Sequence, residues 1–214
     1  MKKSIALLLV FIMCLSLCAC TPKKDTEPQK EIHHIGDSVK TEFFEFELKK
    51  AEFTEWIYTG TGWFNSKRKD EKFFTPCDSD TLGSFSVDVG SDEVYLYYCF
   101  TFKYIGKGEL VESLANYFLP SVNYEDYTFN SDYFSFCRTI NSTETSDWHN
   151  FGTDFDAVSW VQTLNLEFGY IYKIKPLSDD IYEVRGIIPV PSTVAKDTSV
   201  KPILKLGDAQ FVIE

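Results

Sequence analysis

The sequence predicts an all-β domain, a β-sandwich with long inserted loops and one short helix. Apolar residues recur at every second position in several segments, and turn residues separate those segments. Aromatic residues make up 16% of the 214 residues and hydrophobic residues 44%, which is enough for one packed core and excludes a disordered chain. Neither an internal repeat nor a second domain is predicted.

The first 19 residues are expected to be a lipoprotein signal peptide. Lys2 and Lys3 precede an apolar run, Ile5 to Leu17, that is too short to span a bilayer. The next residues, Leu17-Cys18-Ala19-Cys20, resemble the bacterial lipobox, in which the thiol of the last Cys receives a diacylglyceryl group. Cys20 would then be the lipidated first residue of the mature chain. Its acyl chains would hold the protein on the outer, extracellular face of the bacterial cytoplasmic membrane.

The chain is strongly acidic, with 21 Lys and Arg against 32 Asp and Glu and a formal net charge of −11. Loss of residues 1–19 removes two lysines and no acid, so the mature chain has a net charge near −13. Nucleic acid is not an expected partner, because such binding depends on Lys and Arg neutralising phosphates. Residues 20–34 lack apolar periodicity and are interpreted as the lipidated Cys and a flexible tether. The folded domain is expected at residues 35–214.

Alternating apolar residues predict the strands in order. Between Val39 and Phe53 and again between Val94 and Ile105, apolar and polar positions alternate with a period of two. Further strands are predicted at Tyr127–Ile140, Leu164–Ile174, Ile181–Val190 and Ile203–Ile213.

One short helix and two long insertions are also predicted. Helix-like spacing is found in Leu110–Leu119, and Pro120 would end that helix. The stretches Ile57–Glu93 and Ser121–Ser159 lack a continuous strand pattern and are interpreted as long insertions or edge hairpins.

Several of these segments resemble a known domain. They are Ile35-Gly36-Asp37-Ser38-Val39, Phe44–Leu48, Tyr95–Tyr104 followed by Gly106-Lys107, Tyr182–Pro191 and Phe211-Val212-Ile213. Together they resemble the telokin-like, immunoglobulin-like domain of Gram-positive bacterial lipoproteins, a family of unknown function whose fold is shared by a mycobacterial secreted antigen. The resemblance implies an immunoglobulin-like β-sandwich at the cell surface, with no catalytic residues to transfer.

Three cysteines remain in the mature chain besides Cys20. They are Cys77, Cys99 and Cys137, so at most one disulfide can form among them. Export permits oxidation, and a Cys99–Cys137 disulfide would link two strands, whereas the alternative leaves all three thiols reduced. A catalytic thiol needs a nearby base, and His149 is the one histidine outside the expected tether, so no catalytic residue is predicted.

The most distinctive segment lies between Trp56 and Phe74, where aromatic residues and glycines precede a basic triplet. The candidate ligand-binding residues are Trp56, Trp63, Phe64, Lys67, Arg68 and Lys69. Aromatic faces stack on sugar rings, and cations bind anionic polymers. The alternative interpretation is a hairpin whose aromatic residues pack on the sandwich and whose charges mark a solvated tip.

No cofactor and no metal site are expected. Clusters of acidic residues offer oxygen ligands for Ca²⁺, but none has the EF-hand spacing, and Asp is common in solvated turns. His33-His34 lies on the expected tether and lacks the fixed geometry of a zinc site.

The favoured functional interpretation is a non-enzymatic, membrane-anchored binding or interaction module. Its expected partners are the membrane, through the lipid on Cys20, and a cell-wall glycan, an anionic polymer or a surface protein. Two alternatives stay open. Paired carboxylates could serve a lipid-anchored glycan hydrolase, or the domain could be a structural accessory of a neighbouring surface complex.

Overall fold

The computed structural model describes residues 31–58, 71–78, 84–86, 92–108, 115–130, 135–141, 148–150 and 178–214. Within these ranges most residues lie in β-strands, and two short helices are present. The strands form two large sheets packed face to face and a small third sheet on the outside of one of them. The predicted all-β sandwich with a short helical segment is therefore confirmed.

The elements are numbered in chain order across the described residues. The strands are β1 Ile32–His33, β2 Ser38–Lys40, β3 Phe44–Thr54, β4 Trp56–Tyr58, β5 Thr75–Pro76, β6 Ser84–Ser86, β7 Glu93–Tyr104, β8 Ser121–Tyr124, β9 Tyr127–Asn130, β10 Ser135–Thr139, β11 His149–Asn150, β12 Ile181–Pro191, β13 Ile203–Leu206 and β14 Ala209–Val212. The helices are α1 Ala115–Phe118 and α2 Ser192–Lys196.

Three sheets are built from the described strands. The central sheet has the order β11-β10-β12-β7-β3-β2, and the facing sheet has the order β1-β14-β13-β8-β9. The small sheet has the order β5-β4-β6. The longest strands, β3, β7 and β12, are neighbours in the central sheet and pair antiparallel over most of their length.

The main core lies between the central and facing sheets. Residues at alternate positions of the central strands, such as Leu48, Phe100 and Val184, pack against Leu204 and Phe211 of the facing sheet. The period of two that the sequence shows in β3 and β7 therefore separates core positions from outward ones, as predicted.

The other face of the central sheet is also buried. A second group of side chains, the outer cluster, covers it and consists of Ile57, Phe73, Phe74, Tyr97, Phe136, Trp148 and Ile187. Because β7 and β12 are buried on both faces, their sequences contain adjacent apolar residues, as in Tyr97-Tyr98 and Ile187-Ile188.

Several predicted element boundaries are wrong. The run Ile203–Ile213 is a hairpin, because Leu206 pairs with Ala209 and the two residues between them form the turn, with Gly207 at a φ of 60°. The run Tyr127–Ile140 contributes β9 to the facing sheet and β10 to the central sheet. The predicted strand Leu164–Ile174 lies outside the described residues.

The predicted insertions and helix are partly confirmed. The stretch Ile57–Glu93 contributes the small sheet, and the hairpin of β8 and β9 lies at an edge of the facing sheet. The stretch Ser121–Ser159 is more than an insertion, since it also supplies β10 and β11 of the central sheet. Of the predicted helix Leu110–Leu119, Ala115–Phe118 is helical, and residues 109–114 lie outside the described part of the chain.

The folded domain begins earlier than predicted. Ile32 and His33 form β1, which pairs in parallel with Gln210 and Phe211 of β14. The ring of His33 also lies 5.5 Å from that of Phe211, measured between centroids. These contacts assign residues 32 and 33 to the domain and not to the tether, and the compact unit starts at residue 31.

Gly186 is expected to be intolerant of a side chain. It pairs with Tyr98 in the middle of the central sheet, and a Cβ at this position would overlap the hydroxyl end of the fully buried Tyr98 ring. Gly186→Ala should therefore lower the free energy of unfolding by about 1–3 kcal/mol, measured by urea denaturation. The control is Gly108→Ala, because a Cβ at that position meets no atom within 4 Å. Equal losses in the two variants would contradict this steric explanation.

Candidate functional site

The small sheet closes a loop that carries most of the predicted ligand-binding residues. Ile57 pairs with Pro76 and Tyr58 with Thr75, so the two ends of the segment 59–74 lie side by side. Trp56 begins β4, is half-buried and pairs with Ser86 of β6. The other predicted residues, Trp63, Phe64, Lys67, Arg68 and Lys69, lie outside the described part of the chain, as does Cys20.

The C-terminal end of this loop is packed on the central sheet. Phe73 and Phe74 belong to the outer cluster, with 4% and 0% of their surface exposed. Their ring centroids lie 5.0 Å and 4.7 Å from that of Phe136. Phe74 has a φ of 54°, a backbone conformation that is uncommon for residues other than glycine. Burial of both rings holds this end of the loop in place.

A buried arginine also binds this end of the loop. Arg185 lies in β12 and is 9% exposed. Its Nη1 donates hydrogen bonds to the main-chain oxygens of Glu71 and Phe73, both at 2.6 Å, and its Nε donates to Glu183 Oε1 at 2.5 Å. A guanidinium suits this position because it offers several donors in one plane and stays charged. Arg185 therefore links the loop to the central sheet.

Arg185 is part of a larger group that we call the arginine–tryptophan cluster, formed by Arg138, Trp148, Glu183 and Arg185. Arg138 pairs with Glu183 across β10 and β12, and its Nη2 lies 3.4 Å from Glu183 Oε2. The Cζ atoms of Arg138 and Arg185 each lie 4.6 Å from the centroid of the Trp148 ring. Both guanidinium groups therefore make cation–π contacts with one indole.

Two hydrogen-bond donors of the cluster have no acceptor in the part of the chain that the structure describes. Arg138 Nε and Trp148 Nε1 are buried and have no hydrogen-bond partner among the described residues. An unpaired buried donor costs roughly 1–3 kcal/mol. The cluster contains two arginines and one glutamate, so its four side chains together carry one positive charge. These features suit an acceptor of negative charge.

Of the two alternatives for Cys99 and Cys137, a disulfide or free thiols, the strand order contradicts the disulfide. β12 lies between β7 and β10, so the two cysteines are separated by about two strand spacings, roughly 10 Å, against the 4.4–6.8 Å of a disulfide. Cys99 pairs with Arg185 and contacts the outer cluster, whereas Cys137 pairs with Val184 and lies in the main core. The two side chains thus point to opposite faces of the sheet, and both remain thiols.

Both thiols are also in surroundings that disfavour the thiolate. Burial, with a smaller contribution from the charge of Glu183, raises the pKa of Cys99 to about 11. Burial likewise raises the pKa of Cys137 well above its usual value. Such thiols are poor nucleophiles at neutral pH.

Alkylation of the folded protein is therefore expected to spare Cys137. Iodoacetamide at pH 8 should modify Cys77, which is partly exposed, before Cys137, which should react after unfolding in urea. Mass spectrometry of peptides from a non-reduced digest gives the modification of each cysteine. A cross-linked peptide that contains Cys99 and Cys137, or rapid modification of native Cys137, would contradict this assignment.

The arginine–tryptophan cluster was missed by the sequence analysis, although one signal for it exists. Glu183 and Arg185 occupy alternate positions in the otherwise apolar run Ile181–Val190. Charged residues in a strand that is buried on both faces require charged or hydrogen-bonding partners. That requirement could have indicated a buried ionic group, but not the identity of its other members.

The described residues contain no group of three or more His, Cys, Asp or Glu side chains that could hold a metal ion. In the same part of the chain, no helix is long and apolar enough to cross a membrane.

Comparison with known proteins finds similar solved structures and no matching family. No known protein family matches the chain, and no curated protein matches its sequence, so membership of the telokin-like lipoprotein family stays a prediction. Solved structures similar to this chain include an uncharacterized beta-sandwich protein from Clostridium difficile 630, with 16% identity and a TM-score of 0.47 over 87% of this chain and 97% of that one. A conserved hypothetical protein from Bacillus anthracis has 13% identity and a TM-score of 0.42 over 85% of this chain and 95% of that one.

Proposed function

We propose that the protein is a lipid-anchored extracellular binding module that is not an enzyme, with Trp56 and the loop 59–74 as its ligand-binding region. The observation that carries this proposal is the fixation of the loop at both ends. Strand pairing joins Tyr58 to Thr75, and Arg185 binds the carbonyl oxygens of Glu71 and Phe73. Binding residues are commonly found on loops that a rigid scaffold positions in this way.

The residue types of the loop indicate the class of ligand. Trp63 and Phe64 offer flat faces for a sugar ring, and the triplet Lys67-Arg68-Lys69 offers positive charge for an anionic polymer. The rest of the chain is acidic, so an anionic ligand would be attracted to this triplet and repelled elsewhere. A cell-wall glycan or anionic polymer is therefore the proposed ligand, with a surface protein as the alternative partner.

The proposed anchor keeps the domain near the membrane. Residues 21–31 separate Cys20 from β1, and a fully extended chain of this length reaches at most about 40 Å. The proposed lipid would therefore hold β1 within about 40 Å of its attachment point.

Binding is tested with the mature lipidated chain in detergent micelles. Dissociation constants for purified cell-wall glycan and for a teichoic-type anionic polymer would be compared between the wild type and Trp63→Ala/Arg68→Ala. A loss of about tenfold or more is expected if these residues make central contacts. The control is Tyr127→Ala/Lys40→Ala, which makes the same change of charge at an aromatic residue 63% exposed and a lysine side chain 69% exposed. Equal affinities of the wild type and the loop variant for every ligand would refute the loop assignment.

The anchor is tested separately. In a Gram-positive host grown with labelled palmitate, the wild type should carry label and sediment with membranes, because two or more acyl chains give stable attachment. Cys20→Ser should carry no label and be released. Label in the Cys20→Ser variant would refute Cys20 as the lipidation site.

A further inference from the structure

The two donors of the arginine–tryptophan cluster that lack an acceptor among the described residues belong to side chains in direct contact. The Trp148 side chain is buried, with 3% of the residue exposed, and its Nε1 has no acceptor among the described residues. Arg138 Nε is also buried and has no acceptor among the described residues. The Cζ atom of Arg138 lies 4.6 Å from the centroid of the Trp148 ring. The remaining groups are engaged, since Arg185 binds Glu183 and two main-chain oxygens.

The chemistry of these donors indicates the kind of group that would satisfy them. An indole N–H and a guanidinium Nε–H can donate and cannot accept. A water molecule would accept from them but would also have two protons of its own to place. A carboxylate oxygen accepts without donating, and its single negative charge matches the single positive charge that the four side chains carry together.

Among the described strands, the cluster lies beside an edge of the central sheet. Trp148 directly precedes β11, which is the edge strand of the central sheet within the described residues. The register of β10 and β11, continued by one residue, places Trp148 beside Arg138. As far as the described strands show, the two donors therefore lie near the border of the sheet and not at its centre.

We propose that this cluster is a carboxylate-binding site, in which Trp148 Nε1 and Arg138 Nε donate to the carboxylate of a ligand. Glu183 and Arg185 position the two donors, since Glu183 contacts Arg138 and Arg185 contacts the Trp148 ring. This proposal does not depend on the ligand-binding loop or on the lipid anchor. Its test uses small carboxylates that are neither sugars nor polymers.

The test uses the ¹⁵N-labelled mature chain in detergent micelles. The protein has four tryptophans, so its indole N–H signals are few, and Trp148→Phe assigns one of them. Acetate and N-acetylglycine would be added, with sodium chloride as the reference at the same ionic strength. The Trp148 signal is expected to move in a saturable way with both carboxylates. Tighter binding of acetate would indicate a free small acid as the ligand. Tighter binding of N-acetylglycine would indicate the carboxyl end of a peptide.

Affinity is then compared between variants by the rise of Tm with carboxylate concentration. Trp148→Phe keeps an aromatic ring and removes the donor, and Arg138→Lys keeps the charge and removes Nε. Each should weaken binding by about ten- to a hundredfold, the usual effect of losing a hydrogen bond to a charged group. The control is Tyr127→Phe, which keeps an aromatic ring and removes the hydroxyl donor of a residue 63% exposed, and it should leave the affinity unchanged.

Four results would overturn the carboxylate site. They are a response to carboxylates no larger than that to chloride, an equal response to phosphate, unchanged affinity in Arg138→Lys, and a Trp148 signal that is already hydrogen-bonded and unmoved by any anion. The last result would identify an acceptor within the chain itself. If Trp148→Phe does not fold, phenylalanine substitutions of the other three tryptophans assign the Trp148 signal by elimination, and Arg138→Lys and the indole titration of the wild type still decide the question.

Discussion

Replacement of Arg185 by methionine is expected to lower the free energy of unfolding by about 3–5 kcal/mol. The Arg185 and Glu183 side chains are 10% and 13% exposed, so loss of the guanidinium leaves a buried carboxylate without its partner at 2.5 Å. The carbonyl oxygens of Glu71 and Phe73 lose their donor at the same time. A methionine of similar length fills the space but restores none of these interactions.

A second ion pair in the same protein provides the control. Lys49 and Glu47 also lie two residues apart in one strand, with Nζ and Oε2 2.6 Å apart, but their side chains are 45% and 34% exposed. Lys49→Met should change the free energy of unfolding by less than about 1 kcal/mol, because exposed ion pairs contribute little. Urea denaturation measures both variants. Similar losses in the two would show that burial does not set the strength of the Arg185 interaction.

The double variant Arg185→Met/Glu183→Gln separates the two sources of the loss. Removal of the carboxylate eliminates the unpaired buried charge, so the double variant should be more stable than Arg185→Met alone. Further loss of stability would mean that Glu183 is held mainly by Arg138.

The ligand-binding loop is also expected to lose its fixed end in Arg185→Met, and the affinity of the loop for a polymer should fall as a result.

Phe118→Ala is the second substitution with a large expected effect, a loss of about 3–5 kcal/mol. Phe118 ends α1, is 1% exposed and lies at the centre of an aromatic group in the main core. Its ring centroid lies 4.9 Å from that of Phe100, 5.1 Å from those of Phe44 and Phe102 and 5.5 Å from that of Phe46. Truncation removes these contacts and leaves a cavity that strands of two sheets cannot readily fill.

The next residue in the chain is the control for Phe118. Leu119 is 61% exposed, and Leu119→Ala should change the free energy of unfolding by no more than about 0.5 kcal/mol. Thermal or urea unfolding of both variants, with unchanged m-values, makes the comparison. A loss from Leu119→Ala as large as that from Phe118→Ala would mean that the helix position and not the ring is what matters.

Local pattern was sufficient for the individual strands. Alternation of apolar and polar residues in β3 and β7 is a property of consecutive residues, and the structure uses it as the sequence predicts. A short turn inside an apolar run was not recognised, so two strands were predicted as one. The apolar run Ile203–Ile213 contains one tight turn at Gly207 and Asp208, and two strands of four residues look like one strand when no partner is specified.

The local pattern did not predict which strands are neighbours in a sheet or in which register they pair. Cys99 and Cys137 both lie in predicted strands, but β12 lies between those strands and separates the thiols. The register of each strand on β12 points the two thiols to opposite faces. Arg138 and Glu183 are 45 residues apart in the chain and meet because β10 pairs with β12 in one register. A shift of that register by one residue would move the side chains of one strand to the other face of the sheet and would separate the members of the arginine–tryptophan cluster.

The sequence by itself determined the all-β class and the inward positions of the longest strands, and it predicted lipidation at Cys20. These are local properties, since side-chain alternation and a processing motif are read from adjacent residues. Tertiary structure alone decided that the central sheet is covered on both faces, that Arg185 holds the end of the loop 59–74, and that Trp148 contacts two arginines. The physical reason is that strand order and register are set by the packing of the whole chain, which brings together residues that no local pattern connects.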